Sequence, residues 1–338
     1  AVSVSNELDL GGRLSSLSAA AQWEAQATEQ DRQSTAQALA GTTADLYWQL
    51  GYLNEIITTS EQSVAYAQRT LQLVQVQYAA GAVSALEVSE AEKSVASQRA
   101  ELAELQQQRT EARNSLTILL DAAPGTGVLD DVLPTEPARL PQQPLPEVVA
   151  GLPAELLGRR PDLRAAELRL RETLADADAT RASFYPALTL TGALGSASSA
   201  LSNVLANPYA QLGAGLTLPF LQANQMRLQT AIAQTQYERA VASFRQSLYT
   251  ALADTETALS ARVSLARRGE HLALALSSAR RVERLYEVRY RNGQVALSVW
   301  LDAQESRRDA ESQLAANQLS RLKNLSLLYR SLGGSACA

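Results

Sequence analysis

The sequence contains almost none of the side chains from which catalytic and metal-binding sites are usually built. Its 338 residues include one cysteine, Cys337, and one histidine, His271. One cysteine cannot form an internal disulfide, and one histidine without a neighbouring cysteine cluster is poor evidence for metal binding or general-base chemistry. No nucleophile–base arrangement, phosphate-binding loop or dinucleotide fingerprint is present. The sequence therefore predicts a protein that is not an enzyme and that has no cofactor and no metal site.

Long apolar runs, basic blocks and aromatic residues are also scarce. Without an uninterrupted run of about 18 apolar residues, no transmembrane helix is expected, although membrane-spanning strands would give a weaker signal. The net charge is −5 and charges of both signs are interspersed, so no nucleic-acid partner is expected. Aromatic residues make up 5% of a chain that is 46% hydrophobic. Much of the apolar content is alanine, which favours helices and lets them approach closely.

Proline is absent from the first long segment, Arg13 to about Gln77, where apolar residues recur at helical spacing. A helix of this length would span roughly 100 Å at about 1.5 Å per residue, which is typical of coiled-coil packing. A turn at Ala79–Gly81 and a second helix from about Ser84 to Leu120 complete a helical hairpin. Prolines cluster instead in residues 121–150, which predicts an irregular connector before a further helix that ends near Ser183.

Three stretches of the chain alternate apolar and polar residues with a period of two, which is typical of β-strands. They are residues 1–10, Leu188–Leu194 and Gln211–Leu218. A polar loop from Ser196 to Pro208 joins the second and third stretches. Counted from Pro186 to the loop and from the loop to Pro219, each of these two stretches is about ten residues long, the length that a tilted strand needs to cross a bilayer.

One passage occurs twice, with a constant offset of 212 residues that carries Tyr78 onto Tyr290. The two copies run from Tyr78 to Ala91 and from Tyr290 to Ala303 without a gap, and the same offset carries residues 7–13 onto 219–225. A fixed long offset indicates a duplication. The predicted order is strand, long hairpin, connector, strand–loop–strand, long hairpin. The fold is therefore predicted to be mainly α with a small β part and two structural repeats.

This order divides the chain into segments that cannot bury their own apolar surfaces. Two strands are not stable alone, and the long hairpins would expose apolar stripes. Symmetric assembly would close the strands into a barrel and the hairpins into a tube. The predicted segments are 1–12 (a strand), 13–120 (the first hairpin), 121–183 (the connector and a helix), 184–221 (strand–loop–strand), 222–334 (the second hairpin) and 335–338 (a tail).

Several short motifs are distinctive, most of them between Gly151 and Gly192. These are Leu156-Leu-Gly-Arg-Arg-Pro-Asp-Leu163, Ser183-Phe-Tyr-Pro186 and Leu188-Thr-Leu-Thr-Gly192, to which Glu7–Arg13 and Leu301–Gln304 can be added. With these motifs the sequence resembles the outer membrane factor family, the TolC-like exit ducts of bacterial efflux and secretion systems. The resemblance covers essentially the whole chain and is closest to the multidrug and metal efflux lipoprotein branch.

The resemblance implies a trimer that forms a barrel in the outer membrane and an α-helical tunnel in the periplasm. It implies a passive duct for drugs or metals, with a periplasmic adaptor (membrane fusion) protein, an inner-membrane pump and outer membrane lipid as partners. Members of the family contribute four strands per protomer, and this sequence has three. A lipidated cysteine, early helices and a first strand have no counterpart here, so the sequence is expected to begin inside a longer protein.

Other kinds of protein remain as alternatives. The nearest is the outer membrane duct of a type I protein secretion system. A periplasmic adaptor would carry one hairpin between the halves of a lipoyl-like β domain, whereas this chain has two hairpins separated by strands. A soluble coiled-coil scaffold would not account for the strand-like alternating stretches around Thr189 and Leu216.

The resemblance places Asp302 at a constriction of the tunnel near the second tip. By the repeat, Glu90 occupies the equivalent place in the first copy, and Ser298 matches a position that narrows the pore in similar proteins. Three copies of each carboxylate would make acidic rings that favour cations. The alternative is an ordinary solvated helix face.

Gly81 and Gly293 are predicted to lie at the turns between helices, because glycine readily adopts a positive φ. The tips formed by these turns are expected to meet the adaptor. The flanking apolar and aromatic residues are predicted to pack at the tips, with adaptor contact as a second role. They are Tyr78, Val83, Tyr290 and Val295.

Three arginines lie close to the second tip, at Arg284, Arg289 and Arg291. They are candidates for salt bridges that hold the tunnel shut. Exposed salt bridges are weak, typically under about 1 kcal/mol each, so such a latch needs several acting together. The alternative is that they are solvated surface charges.

Overall fold

The computed structural model describes residues 1–146, 158–196 and 208–334. Three predicted features lie partly or wholly outside the described residues. These are the polar loop between the second and third strands, the start of the Leu-Leu-Gly-Arg-Arg motif, and the tail that contains Cys337.

The protein is mainly helical with one small antiparallel sheet, which confirms the predicted fold class. Two long helical hairpins form the repeats. In the part of the chain that the structure describes, the strands are β1 (Val2–Leu8), β2 (Ala187–Ser196) and β3 (Pro208–Thr217). The helices are α1 (Arg13–Ala79), α2 (Ala85–Leu119), α3 (Val128–Val132), α4 (Pro161–Ala182), α5 (Ala223–Arg291) and α6 (Leu297–Ser331), with a 3-10 turn at Pro219–Leu221 before α5.

The sheet has the strand order β1-β2-β3, and both pairings are antiparallel. In the register, Val2 pairs with Leu194 and Leu8 pairs with Leu188. Because directly paired residues of an antiparallel sheet point to the same face, the apolar halves of the three alternating strands lie on one side. The other side carries mainly glycines, threonines and serines.

The apolar face of the sheet is exposed rather than packed against a core. Leu212 on β3 is 92% exposed. Most of the other large apolar residues of this face are exposed as well, whereas Leu8 and Leu188 are half-buried. The exposed ones include Val2, Val4, Leu190, Leu194 and Leu216. An alternating strand in a water-soluble protein would turn this face inward, so the sheet depends on surroundings outside the single chain.

No helix among residues 1–146, 158–196 and 208–334 is both long and apolar enough to cross a membrane.

The chain divides into two compact units. One contains Ala1–Thr35 and Leu152–Ala253, and the other contains Ala36–Gly151 and Asp254–Ala338. This division falls inside α1 and α5 and does not follow the segments predicted from sequence, whose boundaries stay predictions.

In the first unit, arginines hold α4 beside its neighbours. Arg169 pairs with Glu24 at 3.3 Å and with Asp31 at 2.5 Å, both on α1. Arg160, which is buried just before α4 begins, donates a hydrogen bond to the carbonyl oxygen of Ala251 on α5 at 3.2 Å. These contacts fix the helix that leads directly into β2.

In the second unit, ion pairs and a hydrogen bond attach the proline-rich connector to the first hairpin. The half-buried carboxylate of Glu136 forms ion pairs with Arg109, at 2.8 Å, and with Arg113 of α2. The amide of Asn54 on α1 donates a hydrogen bond to the same carboxylate at 3.0 Å. Leu140, further along the connector, is buried against leucines of α6. The described part of the connector, up to residue 146, therefore packs against this unit.

Candidate functional site at the hairpin tips

The turns that end the two hairpins have the same backbone. At the first, the Gly81 N–H donates to the Tyr78 carbonyl at 2.9 Å, and Ala82 donates to Gln77 at 2.8 Å. At the second, the N–H of Gly293 donates to Tyr290 at 2.9 Å, and the next residue repeats the second bond at the same offset. This is the Schellman pattern of helix termination, which needs a left-handed residue after the helix. Gly81 and Gly293 supply it, with φ of 73° and 69°.

The helices that leave the turns start differently. Ser84 caps α2 by accepting a hydrogen bond from the Leu86 N–H, and Glu87 accepts one from the Ser84 N–H at 2.9 Å. The hydrogen bonds from Ser84 lower the pKa of Glu87. Ala296, the residue equivalent to Ser84 in the second repeat, has no side chain with which to cap α6.

The second tip contains the aromatic core of its unit. Trp300 is 2% exposed and stacks on Tyr290 with a centroid distance of 5.2 Å. Tyr66 of α1 meets the Trp300 ring edge-on at 6.3 Å. The Tyr290 hydroxyl donates a hydrogen bond to the Oε1 of Gln77 at 2.8 Å, and burial raises the pKa of Tyr290. Trp300 was not among the candidate residues identified from the sequence.

The residues predicted to flank the turns fall into two groups. Val83 and Val295 pack against the aromatic cluster and Tyr290 belongs to it, as expected of tip packing. Tyr78, the repeat equivalent of Tyr290, is 51% exposed. The tips therefore offer one exposed tyrosine and one buried tyrosine at equivalent positions.

The three predicted pore residues line a single cleft of about 240 Å³ between α2 and α6. Asp302 is exposed, and Glu90 and Ser298 are half-buried. The repeat in the sequence places Glu90 and Asp302 at equivalent positions. Only the packing of α2 beside α6 places them in the same cleft.

Three further charged residues line the cleft and were missed from sequence: Lys93, Glu305 and Arg308. Burial, with a smaller contribution from Arg307, lowers the pKa of Arg308. A helical spacing of three from Glu90 to Lys93 and from Asp302 to Glu305 is a signal that could have found them. The two carboxylates that the sequence predicts to form acidic rings therefore share their cleft with basic side chains.

The arginines proposed for a latch do not link the helices within the described part of one chain. Arg291 pairs with Glu287 at 2.6 Å, one turn away on its own helix. Arg284 and Arg289 form no ion pair with any residue that the structure describes. Their role in gating stays a prediction.

Ion pairs that do join α5 to α6 lie further from the turn and were not predicted. Arg307 of α6 pairs with Glu283 of α5 at 2.7 Å and with Glu311 at 2.6 Å. Arg280 of α5 completes the network by pairing with Glu311 at 2.6 Å. Because Arg307 and Glu283 are largely buried, removing one partner would leave the other charge buried and uncompensated.

Comparison with known proteins decides which family has this architecture. The sequence profile of the outer membrane efflux proteins matches residues 1–121 and 152–334. The chain belongs to the outer membrane efflux protein family.

Individual relatives and solved structures are similar to this chain along almost its whole length. The pyoverdine export outer membrane protein OpmQ of Pseudomonas putida is 33% identical over 333 residues, which are 98% of this chain and 70% of OpmQ. A membrane protein crystal structure from Pseudomonas aeruginosa superposes with a TM-score of 0.90 at 31% identity, covering 97% of this chain and 73% of that one. The outer-membrane channel OprN gives 0.87 at 26% identity, covering 98% and 74%.

Membership of the outer membrane efflux protein family confirms the resemblance inferred from sequence. The protein is an outer membrane efflux protein, and the secretion-duct alternative is not favoured. Among the described residues, no cluster of three or more histidine, cysteine, aspartate or glutamate side chains is arranged to hold a metal ion. The roles of the individual site residues stay predictions.

Proposed function

We propose that the protein is the passive exit duct of a tripartite efflux system. Three copies would close their strands into a barrel in the outer membrane and their hairpins into a tunnel in the periplasm. A periplasmic adaptor and an inner-membrane pump would deliver the solute, and the pump would supply the energy. The duct itself performs no catalysis in this proposal.

The exposed apolar face of the three-stranded sheet carries the proposal. A leucine such as Leu212 at 92% exposure loses on the order of 2 kcal/mol of burial energy if it faces water, and several of its neighbours would add to this. Lipid removes that cost. β1 and β3 each pair on one side only in the described sheet, so their free edges need other strands before they can lie in a membrane. Copies of the chain would supply these strands.

The hairpin tips support contact with an adaptor. Tyr78 and Val76 of the first tip and Leu285 and Val288 of the second are exposed apolar residues on helices that end at the turns. Exposed apolar groups at a helical tip are suited to a partner's helices. A Cβ added to Gly81 or Gly293 would meet no atom within 4 Å, so a partner can approach both turns closely.

The cargo of this proposal is a small molecule rather than a protein. A relative at 33% identity is described as a pyoverdine export protein, which supports small-molecule efflux. The cleft with Asp302, Glu90 and Ser298 would lie at the narrowest part of the tunnel. Its carboxylates would then act on ions that pass through.

The test is the assembly and conductance of the detergent-extracted full-length protein. A trimer that forms ion channels in planar bilayers is expected. Asp302→Asn should lower the cation selectivity of the channel, because it removes three negative charges from the constriction. Asp309→Asn, which makes the same charge change on α6 outside the cleft, is the control. A monomer without channel activity would contradict the proposed function, and equal selectivity in both variants would remove Asp302 from the pore.

A further inference from the structure

A second cavity lies between α5, α6 and the connector, in the same unit as the hairpin tips. It has a volume of about 240 Å³ and shares no residue with the cleft between α2 and α6. Its described lining combines two arginines and one asparagine with apolar side chains, and contains no carboxylate. The lining residues are Arg262 and Ala266 of α5, Arg321, Asn324, Leu325 and Leu328 of α6, and Pro144 and Leu145 of the connector.

Two asparagines of α6 hold the helical walls of this cavity together. The Asn324 amide donates a hydrogen bond to the carbonyl oxygen of Ala258 at 3.0 Å, and Asn317 donates to that of Leu265 at 3.2 Å. The donors are seven residues apart and so are the acceptors, so the bond repeats after two turns of the antiparallel helices. Gly269 permits this close approach, since a Cβ there would lie 2.8 Å from the Nδ2 of Asn317. The walls from α5 and α6 are therefore in a fixed register without a ligand.

The two arginines of the cavity have no acidic partner. Arg262 donates a hydrogen bond to the carbonyl oxygen of Pro146 at 2.8 Å, and Arg321 donates one to the Oε1 of Gln318 at 3.4 Å. Neither arginine forms an ion pair with a residue that the structure describes. Both are half-buried, so their charges are less well hydrated than those of exposed arginines. A guanidinium has five N–H donors, so each arginine keeps donors beyond the one in use.

The segments that form the walls are free of acidic residues near the cavity. No aspartate or glutamate occurs in Thr257–Gly269 of α5, Ser312–Ser331 of α6 or Pro137–Pro146 of the connector. Asp45 of α1 interacts with α6, but with Lys323, which lies on the side of the helix opposite to the cavity. The acidic residues that border the two helical segments do not line the cavity; they are Glu256, Glu270 and Glu311. The cavity is therefore positively charged.

We propose that this cavity binds small carboxylates that have an apolar body. The carboxylate would accept hydrogen bonds from Arg321, because the fork of guanidinium N–H groups matches its two oxygens. Arg262 would act through its charge, since its Nη1 is fully enclosed and no ligand can reach that atom. The apolar body would lie against Pro144, Leu145 and Ala266, which keep accessible surface.

The size of the cavity limits the ligand. Its volume of about 240 Å³ is below the range of about 300–1,000 Å³ that is typical of pockets for drug-sized ligands, so a molecule of about one ring fits. Such a ligand would contact α5, α6 and the connector together. The inference goes beyond the proposed function, because it assigns a binding site that is separate from the constriction.

Other ligands fit the cavity less well. A cation would meet two like charges. Inorganic phosphate could pair with Arg321, but it would leave the apolar walls in contact with water. A neutral ring would cover those walls and leave the half-buried guanidinium groups without a counter-charge. A carboxylate with an apolar body satisfies both parts of the lining.

The pair of para-fluorobenzoate and para-fluorobenzamide tests the need for a negative charge, because the two molecules have nearly the same shape. Dissociation constants would be measured by fluorine NMR titration of the detergent-extracted full-length protein, with empty detergent micelles as the blank. We expect the carboxylate to bind about tenfold more tightly than the amide, since only the carboxylate forms charge-assisted hydrogen bonds. Inorganic phosphate, added as a competitor, should displace it only at concentrations well above the dissociation constant of the carboxylate.

Variants of the two arginines assign the site. Arg321→Gln should weaken carboxylate binding about tenfold and leave amide binding unchanged. Arg321→Lys keeps the charge without the paired donors, so it should weaken binding less, and it is the second variant if Arg321→Gln does not fold. Arg262→Gln should weaken carboxylate binding about threefold. Arg267→Gln makes the same charge change on an exposed side chain of α5 outside the cavity and should have no effect.

The outcomes separate this inference from the proposed duct. No binding at millimolar probe, equal affinities for the two probes, or unchanged carboxylate binding in Arg321→Gln and Arg262→Gln would overturn the site. Displacement by phosphate at lower concentrations than the dissociation constant of the carboxylate would make it a phosphate site, which also overturns the proposal. Any of these results in a protein that conducts normally contradicts the site alone. A protein that binds the carboxylate as expected but forms no channel contradicts the duct alone.

Discussion

The two hairpin tips have the same backbone and different surroundings. Both turns use a left-handed glycine and the same pair of backbone hydrogen bonds, 212 residues apart. At the first tip Tyr78 is exposed and Val88 is half-buried, whereas at the second their equivalents, Tyr290 and Trp300, are the centre of the aromatic core. The duplication therefore kept the turn, and the second copy supplies the buried rings of a core to which Val74 and Ala91 of the first copy also belong.

This difference predicts a different role for each tip. The buried rings of the second tip pack with residues of α1, α2, α5 and α6, and α6 starts without a side-chain cap. The first tip begins α2 with the Ser84 cap and leaves Tyr78 free on its surface. The first tip is thus the better candidate for partner contact, and the second is the better candidate for internal stability.

The largest expected effect is at the centre of the second tip. Trp300→Ala removes a fully buried indole and its contacts with two tyrosines, so it should lower the free energy of unfolding by about 3–5 kcal/mol. Val88→Ala, at the equivalent position of the first repeat, removes two partly buried carbons and should cost about 1 kcal/mol. Guanidinium unfolding followed by circular dichroism would measure both. Equal losses would mean that the tips share the packing evenly.

Replacement of the glycine in either turn should lower the free energy of unfolding by a similar amount. Gly81→Ala and Gly293→Ala each force a side chain into the left-handed region, which costs about 1–2 kcal/mol, and neither new methyl group meets another atom within 4 Å. The same unfolding experiment should give values within about 0.5 kcal/mol of each other. Asparagine tolerates this conformation better, so Gly81→Asn is the milder control. A much larger loss at Gly293 would indicate that the second turn is constrained by contacts beyond its backbone.

The smallest expected changes in the free energy of unfolding are at the equivalent tyrosines, Tyr78 and Tyr290. Tyr290→Phe loses the hydrogen bond to Gln77 and should lower the free energy of unfolding by about 1 kcal/mol. Tyr78→Phe at the exposed first tip should change it by less than about 0.5 kcal/mol. Double replacement of Tyr290 by Phe and Gln77 by Ala would show whether the loss comes from this bond. A measurable loss in Tyr78→Phe alone would place Tyr78 in a contact that the single chain does not contain.

The sequence alone determined the local structure and the repeat. Alternation with a period of two marked the strands around Leu188 and Leu212, because each strand turns successive side chains to opposite faces. The long interval without proline marked α1, and Gly81 and Gly293 marked the turns, because only glycine adopts a positive φ at little cost. These features depend on neighbours in the chain, so they can be read from the order of residues.

Only the tertiary structure decided which side chains meet. The pairing of Arg307 with Glu283, the burial of Trp300, and the convergence of Lys93 and Arg308 on the cleft with Asp302 depend on the faces that α2, α5 and α6 turn to one another. Periodic alanine-rich helices can pack in many relative rotations with similar patterns of apolar residues. Contacts between residues far apart in the chain are fixed by the packing as a whole, and no local pattern records them.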